Sequence, residues 1–123
     1  MKRMMILIAG PVRSGTDGSL AQINENLAKL AQAALAVYQR GHTPVIGEWL
    51  ALPLAQTAGS TRIGDEISEA FLYPVAHRLI GHCDAILRLP GASAGADKDV
   101  RLGQSLGLTL FTRIEEIPQF SEG

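Results

Sequence analysis

At 123 residues, the chain is long enough for one domain with a hydrophobic core and too short for two. Its residues are 46% apolar and 19% charged, with a formal net charge of −1, which excludes a disordered chain and a basic nucleic-acid-binding surface. No apolar run approaches membrane-spanning length, so no membrane partner is expected. The single cysteine, Cys83, cannot form an internal disulfide, which favours the reducing cytoplasm.

The first third of the chain predicts a buried strand, a loop and a long helix. Met4–Ala9 is a continuous apolar run, typical of a central parallel strand, and the apolar start is too short for a signal peptide. The loop Gly10–Gly18 is rich in glycine and hydroxyl groups. Ser19 is suited to N-cap a helix over Leu20–Arg40, and Gly41 follows that helix as a C′ glycine.

The middle of the chain has a weaker pattern. His42–Gly47 predicts a short second strand. The segment Trp49–Arg62 has no clean period, which indicates a long, partly apolar excursion that could be a lid or a subunit contact. Helical spacing resumes over Ile63–Tyr73, and Pro74 predicts a break before a further helix, Val75–Cys83.

The last third repeats the strand, loop and helix. Ala85–Leu87 predicts a third buried strand, Gly91–Gly95 a loop of small residues, and Ser93 the N-cap of the next helix. Leu108–Thr112 predicts a fourth strand. We therefore expect a single α/β domain over residues 1–118, with a parallel sheet, and a tail over 119–123 that has little to hold it.

In such sheets, ligands bind outside the carboxyl ends of the strands, at the topological switch point. We expect the first and third strands to flank that point. The loops Gly10–Gly18 and Gly91–Gly95 would then meet, and two small-residue loops beside two helix N-termini form an anion cradle.

Asp99 is the residue of that region which the helical pattern does not explain. It lies on the apolar arc of its helix, near the N-terminus, whereas Asp97 lies on the wet arc and has Arg101 at i+4 as a partner. Burying a carboxylate costs free energy unless something compensates it. Two interpretations stay open: a functional carboxylate, or a structural one that caps backbone N–H groups of the loop.

Other motifs restrict the chemistry. The first loop has Thr16-Asp17 where a nucleoside-triphosphate loop requires lysine and a hydroxyl residue, and the dinucleotide pattern G-x-G-x-x-G is absent. Arg13, Ser14 and Gly15 could hold a phosphate, or simply form a solvated loop. The histidines show no metal-ligand spacing with Cys83, which is better suited to the core, so neither a metal nor a cofactor is expected.

Two further residues are candidates for the same site. Glu48 follows the second strand and could be a second carboxylate or merely exposed. Asn24 falls on the apolar side of the first helix near its start, and could point toward the loop.

Taken together, Ile8-Ala9-Gly10-Pro11, Arg13-Ser14-Gly15 and Ser93-x-Gly95-Ala96-x-x-Asp99 resemble the nucleoside 2-deoxyribosyltransferase family. The similarity is to its small bacterial members and its deoxynucleoside 5′-monophosphate N-glycosidase branch. The resemblance implies a three-layer flavodoxin-like fold with a four- to five-stranded parallel sheet, assembled as a homodimer or homotetramer. It also implies cleavage or transfer of the N-glycosidic bond of a nucleoside or nucleotide through a glycosyl-enzyme.

Carried onto this chain, the resemblance makes Asp99 the nucleophile, with Glu48 as an assisting carboxylate. Substrate would be bound by residues of both loops and of the first helix, namely Gly10, Pro11, Arg13, Ser14, Gly15, Asn24, Ser93, Gly95 and Ala96. The partner would be a small nucleoside or nucleotide rather than a nucleic-acid polymer.

The chain departs from that family at two positions. The nucleophile of the family is a glutamate, where this chain has Asp99. A strand tyrosine that orients that glutamate in the family is replaced here by Ile6. A nucleotide-binding protein that kept the pocket and lost the chemistry is therefore the second hypothesis. The third is a flavodoxin-like redox or receiver module, although the acidic pair that a receiver domain needs after its first strand is absent.

Overall fold

A computed structural model describes residues 1–121. They form four strands and four α-helices, with two helices in succession between the second and third strands, followed by a 3₁₀ turn at Ile114–Glu116. In chain order the elements are β1 Met5–Ala9, α1 Leu20–Gln39, β2 Thr43–Val45, α2 Gly47–Thr57, α3 Glu66–Ile80, β3 Ala85–Arg88, α4 Ala94–Ser105 and β4 Thr109–Phe111.

The four strands form an all-parallel sheet in the order β2-β1-β3-β4. One face of the sheet packs against α1 and the 3₁₀ turn, and the other face packs against α3 and α4. This architecture is the α/β class expected from the sequence and is consistent with a three-layer flavodoxin-like fold. From β1 the chain first adds β2 on one side and then adds β3 on the other side. The topological switch point therefore lies between β1 and β3, as predicted.

The central strands are buried because both faces of the sheet are covered. Ile6, Leu7 and Ile8 of β1 and Ile86 and Leu87 of β3 are at most 2% exposed. Continuous apolar runs are the pattern that such doubly covered strands require.

The helix caps follow the sequence prediction. The Ser19 hydroxyl accepts from Gln22 N at the start of α1, and the Ser93 hydroxyl accepts from Ala96 N at 3.1 Å at the start of α4. Gly41 has a φ of +90° just after α1, the left-handed conformation that favours glycine at C′.

The prediction of an irregular excursion over Trp49–Arg62 is wrong for most of its length, because α2 covers Gly47–Thr57. The helix buries small residues and exposes the large apolar residues Trp49, Leu50 and Leu54. Gly47, Ala51 and Ala55 recur every fourth residue and are buried, and α2 packs mainly against α3. A stripe of small residues lets two helices approach closely, so the buried face carries little of the hydrophobic signal.

The predicted break at Pro74 is also wrong, because α3 continues through it from Glu66 to Ile80. A proline inside a helix removes one backbone hydrogen bond, and here the helix is retained by burial of Val75 and Ile80. The helix begins at Glu66 rather than Ile63, because the Asp65 carboxylate is its N-cap. That carboxylate accepts hydrogen bonds from Ser68 N at 2.8 Å and Thr61 N at 2.9 Å, which lowers its pKa.

The tail expected over 119–123 is attached at its start. Phe120 N donates to Arg40 O at 2.8 Å, and the Arg3 guanidinium lies 4.3 Å from the centre of the Phe120 ring. Buried His42 accepts from Met4 N through Nδ1 and lies 2.7 Å from Pro118 O through Nε2. The prediction of a loosely held tail is therefore wrong up to Phe120, and residues 122–123 lie outside the described residues.

Candidate functional site

A cavity of about 230 Å³ opens at the carboxyl ends of β1 and β3, at the switch point. Ligand sites in parallel sheets form at this place. The cavity is small compared with the roughly 300–1,000 Å³ pockets that enclose drug-sized ligands, so it suits a small ligand or one end of a larger one. Its apolar wall includes Leu52, Ile63 and Leu72.

The structure brings together most of the site residues predicted from the sequence. Of those eleven, the cavity is lined by Gly10, Arg13, Ser14, Glu48, Ser93, Gly95, Ala96 and Asp99. The other three, Pro11, Gly15 and Asn24, do not line it. Pro11 packs beside Gly91 and thereby joins the two loops, and Gly15 supplies a turn with a φ of +74°.

Asn24 is exposed on α1 and is not brought to the cavity. The side-chain amide that does hold the first loop belongs to Asn26, whose Nδ2 donates to Val12 O at 2.9 Å. The helical pattern misses this because Asn24 and Asn26 lie about 200° apart around the helix, and the entry angle of the loop decides which one meets it.

The first loop is organised by Thr16, a residue that the sequence interpretation used only to exclude a triphosphate loop. Thr16 is 3% exposed, its hydroxyl donates to Arg13 O at 2.6 Å, and Gly18 N donates to the same hydroxyl at 3.3 Å. These bonds close a compact turn. The turn places Arg13 and Ser14 at the rim of the cavity.

Arg13 is already paired with a carboxylate. Its Nη1 contacts Glu69 Oε1 of α3, and both side chains are partly exposed. Glu69 also lines the cavity. An incoming anion would therefore compete with Glu69 for the guanidinium, a condition that local sequence could not reveal because the two residues are 56 positions apart.

Asp99 faces the cavity from the second turn of α4, near the N-terminus of that helix as expected. Its side chain is 15% exposed, and its buried Oδ1 has no hydrogen-bond partner among the described residues. Ser93, not Asp99, caps the helix. The capping interpretation of Asp99 is therefore not supported, and the dipole of α4, which acts mainly within the first turn, gives this carboxylate little help.

The environment of Asp99 favours its protonated form. Burial, together with the nearby charge of Glu48, raises the pKa of Asp99 to about 7, although Arg88 opposes the shift. Burial also raises the pKa of Glu48 above its ordinary value. Two carboxyl groups of raised pKa in one cavity are an arrangement found at sites of acid–base or nucleophilic chemistry.

The ion pair expected between Asp97 and Arg101 is replaced by a longer-range one. Asp97 Oδ1 lies 3.0 Å from Arg88 Nη2, at the carboxyl end of β3. Arg88 therefore bridges β3 to α4 beneath the cavity, and its charge is shared between Asp97 and the more distant Asp99.

Tyr73 and His77 of α3 also belong to the site, and the sequence interpretation did not include them. Tyr73 lines the cavity, and His77 Nε2 lies 3.8 Å from Asp99 Oδ1. Their i, i+4 spacing places both side chains on one face of a continuous helix. The break predicted at Pro74 instead assigned Tyr73 and His77 to two different helices. Among the described residues, no cluster of three or more potential ligands is arranged to hold a metal ion.

No protein-family model matches the chain, and a comparison with curated proteins gives no match either. Over residues 1–121, the structure has no helix with the length and apolar character needed to cross a membrane.

Proposed function

We propose that the chain cleaves or transfers the N-glycosidic bond of a nucleoside or nucleoside 5′-monophosphate, with Asp99 as the nucleophile. The observation that carries this proposal is the Asp99 carboxylate, which faces a cavity at the switch point with an unpartnered Oδ1. The resemblance of the two loops to the nucleoside 2-deoxyribosyltransferase family supplies the reaction class.

In this mechanism, an oxygen of ionised Asp99 forms a bond to the anomeric carbon as the bond from that carbon to the base nitrogen breaks. The bonding electron pair leaves with the base, and protonated Glu48 donates a proton to it. Water or a second base then attacks the anomeric carbon and gives its proton to the Glu48 carboxylate, so that Asp99 leaves as a carboxylate and Glu48 is protonated again. The raised pKa of Glu48 supports this assignment because it increases the fraction of the protonated acid.

Binding would use both loops. Gly95 and Ala96 leave room for a sugar beside Asp99, and the start of α4 offers backbone N–H groups. Arg13 and Ser14 would receive a 5′-phosphate at the rim. This step requires Arg13 to exchange Glu69 for the phosphate, and a doubly charged phosphate is the stronger partner.

A second candidate function is nucleotide binding without turnover. One observation favours it: a pKa of about 7 leaves Asp99 partly protonated at neutral pH, and a protonated carboxyl group is not a nucleophile. Aspartate is also one methylene shorter than the family glutamate, and a displacement of about 1 Å can cost roughly a hundredfold in rate.

We also propose that the protein is a cytoplasmic homodimer, or a homotetramer built from it, assembled through α2. Trp49, Leu50 and Leu54 lie on its outer face and are 42–52% exposed. A contiguous exposed apolar surface of this kind typically contacts another protein surface. The same helix contributes Glu48 and Leu52 to the cavity, so assembly there would also restrain the site.

The experiment that tests the reaction is incubation with a panel of deoxyribonucleoside and ribonucleoside 5′-monophosphates and the matching nucleosides. Free base is then quantified by chromatography. Release of base that depends on protein concentration supports the proposal. Saturable binding without base release supports the second candidate.

A further inference from the structure

The His77 imidazole lies beside the unpartnered oxygen of Asp99. Its Nε2 lies 3.8 Å from Oδ1, which is within ion-pair range but too long for a hydrogen bond. His77 lies on α3 and Asp99 on α4, so the contact joins the two helices that cover this face of the sheet.

The His77 ring is held beside Asp99 by an aromatic neighbour. Tyr73, one turn earlier on α3, has its ring centre 6.1 Å from that of His77. Lys98 Nζ of α4 lies 4.8 Å from the centre of the Tyr73 ring. His77 is 41% exposed, so a small change of rotamer can bring Nε2 to hydrogen-bond distance without repacking the core.

The charges around Asp99 leave a role for a cation. Glu48 faces it from α2 and disfavours ionisation, whereas Arg88 faces it from β3 and favours ionisation. Arg88, however, is already bound to Asp97. The groups around His77 are Tyr73 on its own helix, Lys98 beyond that ring and Asp99 itself.

We propose that His77 is the positioning residue for Asp99: it donates Nε2–H to Oδ1, which favours the ionised over the protonated carboxyl group and orients that group toward the cavity. An imidazole suits this task because a ring N–H can donate to a carboxylate oxygen. The reactive role of Asp99 rests on the proposed function, whereas the coupling between the two side chains does not.

The test measures the ionisation of Asp99 itself, monitored through the ¹³C carboxyl signal of labelled protein across pH 4–9. The Asp99 signal is assigned by its loss in Asp99→Asn. His77→Gln keeps an N–H donor and removes the charge, and His77→Leu removes both. His82→Gln is the matched control, because His82 is an exposed histidine after the same helix that does not line the cavity.

We expect the midpoint of the Asp99 signal to rise by about half to one pH unit in His77→Gln and by more in His77→Leu, because an opposite charge at this distance favours ionisation. His82→Gln should leave it unchanged. An unchanged midpoint in His77→Gln overturns the proposal, and so does an equal rise in His82→Gln. The glutamine variant decides the matter if the leucine variant does not fold.

Base release separates this inference from the proposed function. If both are right, the acid limb of the pH profile for kcat/KM moves upward in His77→Gln together with the carboxyl midpoint. If the midpoint shifts in His77→Gln but the parent protein releases no base, the coupling stands and the reaction is rejected. Base release with an unmoved midpoint and an unmoved acid limb rejects the coupling and leaves the reaction standing.

Discussion

Asp99 combines a stability cost with a functional position. Its carboxyl group is mostly buried and lacks a partner at Oδ1, so the folded chain ionises it with more difficulty than the unfolded chain does. Groups of this kind persist at functional sites, where reactivity and stability oppose each other. Asp99→Asn separates the two properties.

We predict that Asp99→Asn stabilises the protein at pH 8 and changes little at pH 4. The folded pKa of about 7 lies above the ordinary 3.8, so the parent loses stability as pH rises from about 4 to 7 and loses no more above that. Ionisation of Asp99 therefore lowers the free energy of unfolding of the parent by roughly 4 kcal/mol at most. The variant should recover only about 1–3 kcal/mol of this, because its amide is also poorly partnered.

Denaturant unfolding of both proteins at several pH values measures this effect. The parent curve should fall between pH 4 and 7, and the variant curve should be flatter there. Equal pH dependence in the two proteins would show that Asp99 is not the group responsible. A less stable variant at pH 8 would indicate that Asp99 holds the loop.

Arg13 and Glu69 form a second pair with opposite predicted effects. If Arg13 receives the 5′-phosphate, monophosphates should bind more tightly than the matching nucleosides, and Arg13→Ala should narrow that gap. A charge-assisted contact is worth about 1.5–3 kcal/mol, or roughly 10- to 150-fold in affinity. Glu69→Gln removes the competing carboxylate and should widen the gap.

Calorimetric titration with one nucleoside and its 5′-monophosphate, against the parent and both variants, checks these directions. Arg62→Ala is a control on a nearby cation that does not line the cavity. Equal affinity of the parent for the two ligands contradicts the assignment of Arg13.

At the scale of elements, close packing of small residues shapes the face of the sheet that bears the site. Gly103 of α4 faces Ile86 of β3, and a Cβ added at position 103 would lie 2.4 Å from Ile86 Cδ1. The helix therefore approaches the sheet closely at the one place in α4 where a glycine faces it. This contact fixes the C-terminal half of α4 against β3.

We predict that Gly103→Ala destabilises the protein by about 1 kcal/mol. Alanine gains about 1 kcal/mol of helix propensity, but overpacking costs about 1–3 kcal/mol. Ile86→Val removes Cδ1 and costs about 0.5–1.5 kcal/mol alone. The double variant should be more stable than the sum of the two changes predicts, by about 1 kcal/mol, in a thermal or denaturant double-mutant cycle. Strict additivity would exclude the contact as the cause.

Sequence reasoning was most successful where local pattern and fold agree. The apolar runs of β1 and β3, the Ser19 and Ser93 caps and the meeting of the two loops all follow from local rules, and the structure has them. The prediction of an excursion over Trp49–Arg62 was wrong because α2 exposes three of its large apolar residues and buries Gly47, Ala51 and Ala55. That four-residue repeat of small side chains was the available signal.

The site was only partly predictable for a related reason. A helical arc could single out Asp99, but it could not show that Oδ1 lacks a partner. The Arg13–Glu69 pair and the His77–Asp99 contact join elements that are distant in sequence. Their existence depends on how α3 packs against its neighbours, which no local pattern encodes.

At the scale of the whole molecule, large apolar side chains are exposed on both sides of the sheet. The exposed face of α2 carries Trp49, Leu50 and Leu54, on the side of the sheet that bears α3 and the cavity. On the opposite side, α1 exposes Leu20, Leu35 and Tyr38 at separate points along its length. The two helices therefore offer a matched pair of substitutions that tests the proposed assembly.

We predict that the parent protein is a dimer at micromolar concentration by light scattering, and that Leu54→Glu produces a monomer, since a buried unpaired carboxylate at an apolar interface is costly. Leu35→Glu on α1 should remain a dimer. A monomeric parent would contradict the prediction. Dissociation by Leu35→Glu but not by Leu54→Glu would place the interface elsewhere.

The central claim is that the Asp99 carboxylate performs the chemistry of this cavity. The most direct measurement compares base release by the parent, Asp99→Asn and Asp97→Asn on whichever nucleoside or nucleotide the parent cleaves, with ligand affinity measured in parallel. Asp97 is two positions away on the same helix, and it pairs with Arg88. We expect Asp99→Asn to abolish base release and retain binding, and Asp97→Asn to do little. Base release at a near-parental rate in Asp99→Asn would contradict it.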